Sequence, residues 1–329
     1  MENRRDLLYD FVKNKMEKCR ILVVGDVMLD KYYYSEVKKI SPEAPVPVAK
    51  VIKQKETLGG AANVAHNLAL LGCKTYLAGS VGDDYHRLGL EQQLQDKKID
   101  AAGLICTAGP TTTKLRVIGG HQQMIRLDFE ETAPLVPAAI KDFYRYFERV
   151  FSAGLDCVII SDYAKGVCTE EICQWLIARC NKEEIPVIID PKGNQWGKYR
   201  GADYLTPNMK ELNEVAEEEV LNQDEPVFLA AKKIRDKYKL KNLMVTRSEQ
   251  GLSLVSCEEV SHIPTLAQEV FDVSGAGDTV IAVLGLALAG KLQGSAAAFL
   301  ANLAASVVVA KLGTYAVSKD ELMAALLRV

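Results

Sequence analysis

Short apolar runs rich in β-branched residues recur along this chain, at Ile21–Val24, Thr75–Ala78, Cys157–Ile160, Val187–Ile189 and Leu243–Thr246. Between them lie Asn63–Leu71, Arg87–Lys97, Ala138–Phe151, Glu170–Asn181 and Val227–Tyr238, which have the length and pattern of helices. Strand–helix alternation of this kind predicts an α/β fold, with a mostly parallel central sheet flanked by helices on both faces. Ligands of such sheets sit beyond the carboxyl ends of the strands, so the polar residues just after each strand carry the interest.

Two segments break the alternation. Lys31–Lys55 holds Pro42, Pro45 and Pro47 among alternating apolar residues, which suits extended chain at a sheet edge. Thr111–Asp128 alternates around Gly119-Gly120, a hairpin signal. Together they predict a small second sheet that covers the site like a lid, and one domain over residues 1–329 with lid segments at about 31–55 and 111–128. At the N-terminus, Leu7, Leu8, Phe11, Val12 and Met16 are spaced for a short amphipathic helix. Thr279–Ala289 and Ala296–Ala310 are the most apolar tracts. Both fall short of the ~18 residues of a membrane span and read as buried core helices.

The bulk composition removes several function classes. Across 329 residues, 40 basic and 43 acidic side chains give a net charge of −3 without a long basic run, which argues against nucleic-acid or anionic-membrane binding. Eight cysteines are scattered without a Cys-x-x-Cys pair, as expected of free thiols in a reducing cytoplasm. With four scattered histidines they make no zinc set.

The most informative stretch is Asp272-Val-Ser-Gly-Ala-Gly-Asp-Thr279, just before the apolar helix Val280–Ala289. Small residues at Gly275, Ala276 and Gly277 let backbone approach a ligand, and the helix offers free N–H groups and the positive end of its dipole. That combination is an anion hole for a transferring phosphoryl group. Asp278 in the first turn is placed to act as general base toward an attacking hydroxyl. A glycine turn whose aspartate merely complements the dipole has the same local pattern.

The wider sequence tips the balance. Asp272–Asp278 resembles, residue by residue, the C-terminal signature of the ribokinase-like (PfkB-type) carbohydrate kinases. Leu58-Gly-Gly-Ala-Ala-Asn-Val-Ala65 resembles their N-terminal signature, and Pro207-Asn-Met-Lys-Glu211 their Asn-x-x-Glu motif. The resemblance implies ATP and Mg²⁺ as cofactors, Asp278 as catalytic base, and Gly275, Ala276 and Gly277 as the anion hole. It further implies Asp30, Gly59, Gly60 and Asn63 as sugar-binding residues. Asn208 and Glu211 would place Mg²⁺ and phosphate-bound water, with Glu211 reaching the metal through water.

Ile40–Pro47, Thr113–Val117, Gln122–Glu131, Ser161–Gly166 and Thr246–Gly251 look like one branch, the D-glycero-β-D-manno-heptose 7-phosphate kinases. That likeness implies phosphorylation of the anomeric hydroxyl on the way to ADP-heptose for lipopolysaccharide core. The chain ends at Val329 without a His-x-Gly-His motif and resembles the stand-alone kinase form. A phosphorylated substrate calls for cations in the lid, and Lys114, Arg116 and Arg126 are the candidates; solvated edge charges that discourage sheet pairing are the alternative. A two-residue turn at Gly119-Gly120 would put Lys114 and Arg116 on one face and Arg126 on the other. Lys165 follows a strand and stands at the site edge, where Asp162 either orients it or binds sugar. Lys192, in Asp190-Pro-Lys-Gly193, either reaches phosphate oxygens or sits in a plain turn.

Thr246, Arg247, Ser248 and Gly251 are expected along the ATP phosphates, with Ser248 where the broad family has glycine. The helix around Asn302 is expected to border the adenine pocket. An exposed lid edge invites pairing with a second copy, as relatives of this fold do, so a homodimer is expected. Rival readings are a kinase of the same fold for another sugar, sugar phosphate or nucleoside, and a non-catalytic sugar- or nucleotide-binding regulator. A dinucleotide-dependent dehydrogenase is disfavoured, because Gly25-Asp-Val-Met-Leu-Asp30 is not the Gly-x-Gly-x-x-Gly turn.

Overall fold

The computed structural model describes residues 2–120, 122–267, 269–311 and 313–329. Helix α1 (Glu2–Asp10) leads into β1 (Arg20–Gly25), the long hairpin β2 (Val27–Ile40) and β3 (Pro47–Gly60), then α2 (Ala61–Leu70) and β4 (Lys74–Gly82). Next come α3 (Tyr85–Asp96), β5 (Asp100–Thr107), the hairpin β6 (Thr113–Gly119) and β7 (Gln122–Phe129), and α4 (Pro137–Ser152). The middle of the chain supplies β8 (Cys157–Ser161), α5 (Glu170–Asn181), β9 (Val187–Asp190), β10 (Tyr204–Leu205), α6 (Met209–Val215) and α7 (Asp224–Tyr238). The last third holds β11 (Asn242–Thr246), β12 (Leu252–Val255), β13 (Val260–Ile263), α8 (Ala276–Ala289), α9 (Gly294–Val309) and α10 (Lys319–Leu326).

Nine strands form the main sheet in the order β13-β12-β11-β10-β9-β8-β1-β4-β5. From β11 to β5 every pair is parallel; β12 and β13 are antiparallel additions at one edge. Side chains alternate between two cores, as the pleat requires. Ile21, Val23 and Ile159 pack with α2, α8 and α9, while Leu22, Val24, Val158 and Ile160 pack with α4, α5 and α7. The N-terminal spacing also holds: Leu8, Phe11, Val12 and Met16 are buried in the first of these cores, and Leu7 is exposed.

Helix α8 explains the apolar tract it comes from. Every residue from Asp278 to Ala287 is buried, so no polar stripe is needed. At Gly285 a Cβ would lie 2.6 Å from Ile159 Cδ1, so the backbone of the helix rests directly on the Ile159 side chain of β8. Among the described residues, no helix is long and apolar enough to cross a membrane.

The two segments that broke the alternation pair into a four-stranded sheet, β3-β2-β6-β7. Strands β2 and β6 run parallel, which aligns Asp30 with Lys114 and Tyr32 with Arg116. The expected turn register needs correction. Gly119 pairs with Gln122, and an irregularity at Val117/Ile118 places Arg126 directly opposite Arg116. The bulge absorbs one residue, so Arg126 shares a face with Lys114 and Arg116 after all.

Candidate active site

Three cavities meet at the amino end of α8. The first, about 350 Å³, lies between the small sheet and the helix, and Asp30, Gly59, Gly60, Asn63, Lys114, Arg116 and Asp278 border it. The second, about 550 Å³, follows the carboxyl ends of the main strands past Asp162, Asp190, Lys192, Asn208, Glu211, Gly277 and Asp278. The third, about 420 Å³, has a mostly apolar wall with Gly251, Ala276, Val280, Asn302 and Val309. Gly275 and Asp278 border both the first and second cavities, and Thr246, Ser248 and Gly277 both the second and third. The result is one path with a carboxylate at the junction nearest the small sheet.

Local structure fixes that junction. Gly275 takes φ +80°, a left-handed turn that starts α8 without a Cβ penalty. Ala276 was expected to point its N–H at an anion, but it donates to the Val273 carbonyl. Among the described residues, the N–H groups of Gly275, Gly277 and Asp278 have no backbone acceptor. A Cβ on Gly277 would meet nothing within 4 Å, so the space above it is open.

Asp278 is 7% exposed. Its Oδ2 accepts from Asn63 Nδ2 at 2.6 Å and its Oδ1 from Tyr163 Oη at 2.8 Å. Desolvation pushes its carboxyl up to about 6; the two hydrogen bonds work against that rise, and Asp30 adds a smaller upward push. Helix α2 is tied to α8 by Thr279 Oγ1 donating to Asn67 at 2.9 Å, which holds Asn63 in place.

Tyr163 and Asp26 are the functional residues that the sequence reading missed. Asp26, almost fully buried, accepts from the backbone N–H groups of Tyr163, Lys165 and Val167 at 2.8, 3.0 and 3.1 Å. This clamp shapes the loop after β8 and delivers the Tyr163 hydroxyl to Asp278. Polar residues directly after β1 and β8 were the available signal, and Asp26 and Tyr163 both stand there.

Other expected residues are placed as follows. Asn208 caps α6 by accepting from Glu211 N–H at 2.9 Å, and Glu211 Oε2 accepts from Asn208 N–H at 3.1 Å. The Asn-x-x-Glu motif is therefore a capping box as well as a cleft wall. Lys192 Nζ donates to Glu211 at 2.9 Å. Asn302 spends its amide on the Pro264 carbonyl at 2.7 Å while bordering the apolar cavity.

Four expectations need correction. Asp162 pairs with Lys198 and Tyr199 rather than with Lys165, whose amine is held by Glu130 at 2.6 Å. Arg126 is half exposed and bound to Asp128 at 2.9 Å, away from the three cavities. Lys165 also lies outside them. Arg247, 1% exposed, turns inward to Asn222, Asp224 and Ser253, because a buried guanidinium must find acceptors there.

The second cavity also has the donors for a hard cation. Asp190 is held well above the usual carboxylate range by desolvation and by the negative field of Glu211 and Asp278. Asp190 and Glu211 both border this cavity, and carboxylate oxygens are the donors that Mg²⁺ takes, commonly with several waters retained.

The sequence matches the description "pfkB family carbohydrate kinase" over residues 18–321. The chain belongs to the pfkB family of carbohydrate kinases. It is thus an ATP-dependent sugar kinase, and its closed-over sheet and lid have the ribokinase-like fold. Similar solved structures of this pfkB fold include phosphofructokinase-2 from Escherichia coli, with TM-score 0.77 and 20% identity, covering 94% of this chain and 99% of that one. Arabidopsis thaliana ribokinase complexed with ribose and ATP gives TM-score 0.74 and 21% identity, covering 94% and 98%. Among curated pfkB relatives, the bifunctional protein HldE of Syntrophotalea carbinolica is 44% identical over 312 residues, 94% of this chain and 63% of that protein. HldE of Magnetococcus marinus is 47% identical over 322 residues, 96% of this chain and 66% of that protein. The chain spans less than two thirds of the length of these relatives.

Proposed function

We propose that this kinase transfers the γ-phosphoryl group of ATP to the anomeric C1 hydroxyl of D-glycero-β-D-manno-heptose 7-phosphate, giving the 1,7-bisphosphate on the route to ADP-heptose and lipopolysaccharide core. One observation carries the reading: Asp278 stands where a cavity bearing Lys114 and Arg116 opens into the cleft that runs on to an apolar pocket. Similarity to HldE proteins along most of the chain supports a heptose as the acceptor.

In this reading the adenine takes the apolar cavity beside Asn302 and Val309, with the phosphates along Thr246, Ser248 and Lys192. Asp190 and Glu211 would hold Mg²⁺ in this cleft, where it would supply positive charge to the phosphate oxygens. Asn63 and Tyr163 fix the Asp278 carboxylate, which takes the proton from the C1 hydroxyl as that oxygen attacks the γ-phosphorus. The bond from the γ-phosphorus to the bridging oxygen breaks, and ADP leaves. The unclaimed N–H groups at Gly275, Gly277 and Asp278 face the developing charge on the equatorial oxygens. Asp30, with Gly59 and Gly60 beneath it, receives sugar hydroxyls, and the cations Lys114 and Arg116 receive the 7-phosphate.

The lid covers this site and, through its exposed outer strand, supports a homodimer. Buried free thiols such as Cys157 and Cys173 support a cytoplasmic location. The deciding experiment follows ADP release from Mg²⁺·ATP with a panel of free and phosphorylated sugars. Turnover confined to the heptose 7-phosphate is the expected result; equal or faster turnover of a hexose phosphate or nucleoside would reject the acceptor while leaving the kinase family intact.

A further inference from the structure

Three carboxylates face the acceptor cavity, and they are not equivalent. Asp272 accepts from the backbone N–H groups of Ser274 and Gly313 at 2.9 and 3.0 Å. Asp278 is held by the neutral donors Asn63 and Tyr163. Asp30 alone among them is held by a cation, with Arg116 Nη1 2.6 Å from its Oδ1. A competing anion can draw a guanidinium away from a carboxylate, but it has nothing to offer a backbone N–H already bonded within a turn.

The pair is built into the lid. Asp30 and Tyr32 lie on one face of β2, opposite Lys114 and Arg116 of β6. Arg116 rests against the Tyr32 ring at 5.3 Å, and the two paired side chains are only 22% and 13% exposed. The other oxygen of Asp30 overhangs Gly59, where a Cβ would lie 2.5 Å away. The carboxylate is thus confined between Gly59 below and Arg116 beside it. Lys114, next along the same face, has no carboxylate partner among the described residues.

We propose that the Asp30–Arg116 ion pair is a latch which a phosphate group releases, so that the acceptor site is completed only by a sugar that already carries one. This rests on the acceptor reading above and explains how it is enforced. A phosphate brings close to two negative charges and a geometry that matches the guanidinium fork, so it recruits Arg116 alongside Lys114. Asp30 then loses its cation and offers both oxygens, not Oδ2 alone, to sugar hydroxyls. A free sugar must displace the same cation with a neutral hydroxyl, so Oδ1 stays occupied and only Oδ2 is open to it. Phosphate recognition and hydroxyl recognition are thereby coupled through one side chain.

The test compares wild type with Arg116→Met, using heptose 7-phosphate, the free heptose, and the free heptose with millimolar inorganic phosphate. Arg116→Met is expected to lose about 10²-fold in kcat/KM on the phosphorylated sugar, the cost of a charge-assisted contact. Its kcat/KM on the free heptose should rise, by about tenfold, because Asp30 is unlatched. In wild type, inorganic phosphate should raise turnover of the free heptose, and in the variant it should not. A parallel fall on both sugars would make Arg116 a structural residue and overturn the latch. Unchanged turnover of the free heptose in the variant, or no stimulation of wild type by phosphate, would make Arg116 a plain phosphate ligand and overturn it equally. The stimulation needs no substitution, so it stands even if Arg116→Met folds poorly. If the panel rejects heptose altogether, the acceptor reading fails, and the latch is read on the preferred sugar with and without added phosphate.

Discussion

Strands β1 and β8 of the main sheet are buried along nearly their whole length, whereas β7 of the lid is exposed at every position. The difference follows their duties. The main sheet packs between two helix layers and holds Asp278, the proposed base, at the end of α8, where a displacement would misplace the reacting atoms. The lid has one face toward the acceptor cavity and the other toward solvent, so its polar residues can vary with the acceptor. In the proposed mechanism, chemistry sits on the doubly covered sheet and selectivity on the singly covered one.

That division is open to direct attack. Asp278→Asn keeps the size of the side chain and one of its two accepting oxygens but removes the proton acceptor, and should lower kcat by about 10² to 10⁴ with ATP binding retained. Near-normal turnover in a single-turnover assay would remove the base from its place. Tyr163→Phe should cost roughly tenfold in kcat and also move the acid limb of the kcat/KM profile. The sign follows from the environment: the hydroxyl opposes the desolvation that pushes Asp278 up to about 6, so its loss raises that carboxyl further. Because the base works ionised, the variant should lose activity at higher pH than wild type does. A profile that falls in height without shifting would mean Tyr163 only packs.

At the seam between the regions, Gly60 has φ +55° and a Cβ there would lie 2.4 Å from the Asp26 carbonyl. Gly60→Ala should therefore destabilise the fold by about 1 to 3 kcal/mol, measured as a lower urea midpoint. On the lid itself, Ile125 is half exposed. Ile125→Asp is expected to shift a dimer toward monomer in sedimentation while leaving the pH profile unchanged. A loss of dimer accompanied by a changed pH profile would mean that the two regions are not separable.

Much of this was legible in the chain. The span Glu170–Asn181 was placed to the residue, because its threonine cap at Thr169 and its apolar spacing are both local. The turn into α8 was legible for the same reason, since Gly275 to Asp278 and the apolar helix that follows are contiguous. Strand β5 escaped because it is only partly buried and shows no clean alternation. Arg247 was misassigned because nothing nearby in the chain shows that its guanidinium closes on Asn222, some 25 positions away. Tyr163 and Asp278 are 115 positions apart, and only the folded chain brings them into contact. The bulge that turned Arg126 round is a single-residue event that a period-two reading cannot see.

The bare contact at Gly285 has a mechanical consequence. The α8 backbone lies directly against the Ile159 side chain of β8, so any slide of the helix would press on that strand. Asp278 lies in the first turn of that helix and Tyr163 in the loop just after that strand, so the proposed base and its donor share a common mount. Such a chassis lets new acceptor surfaces be fitted to the lid over evolutionary time without retuning the proton transfer beneath it.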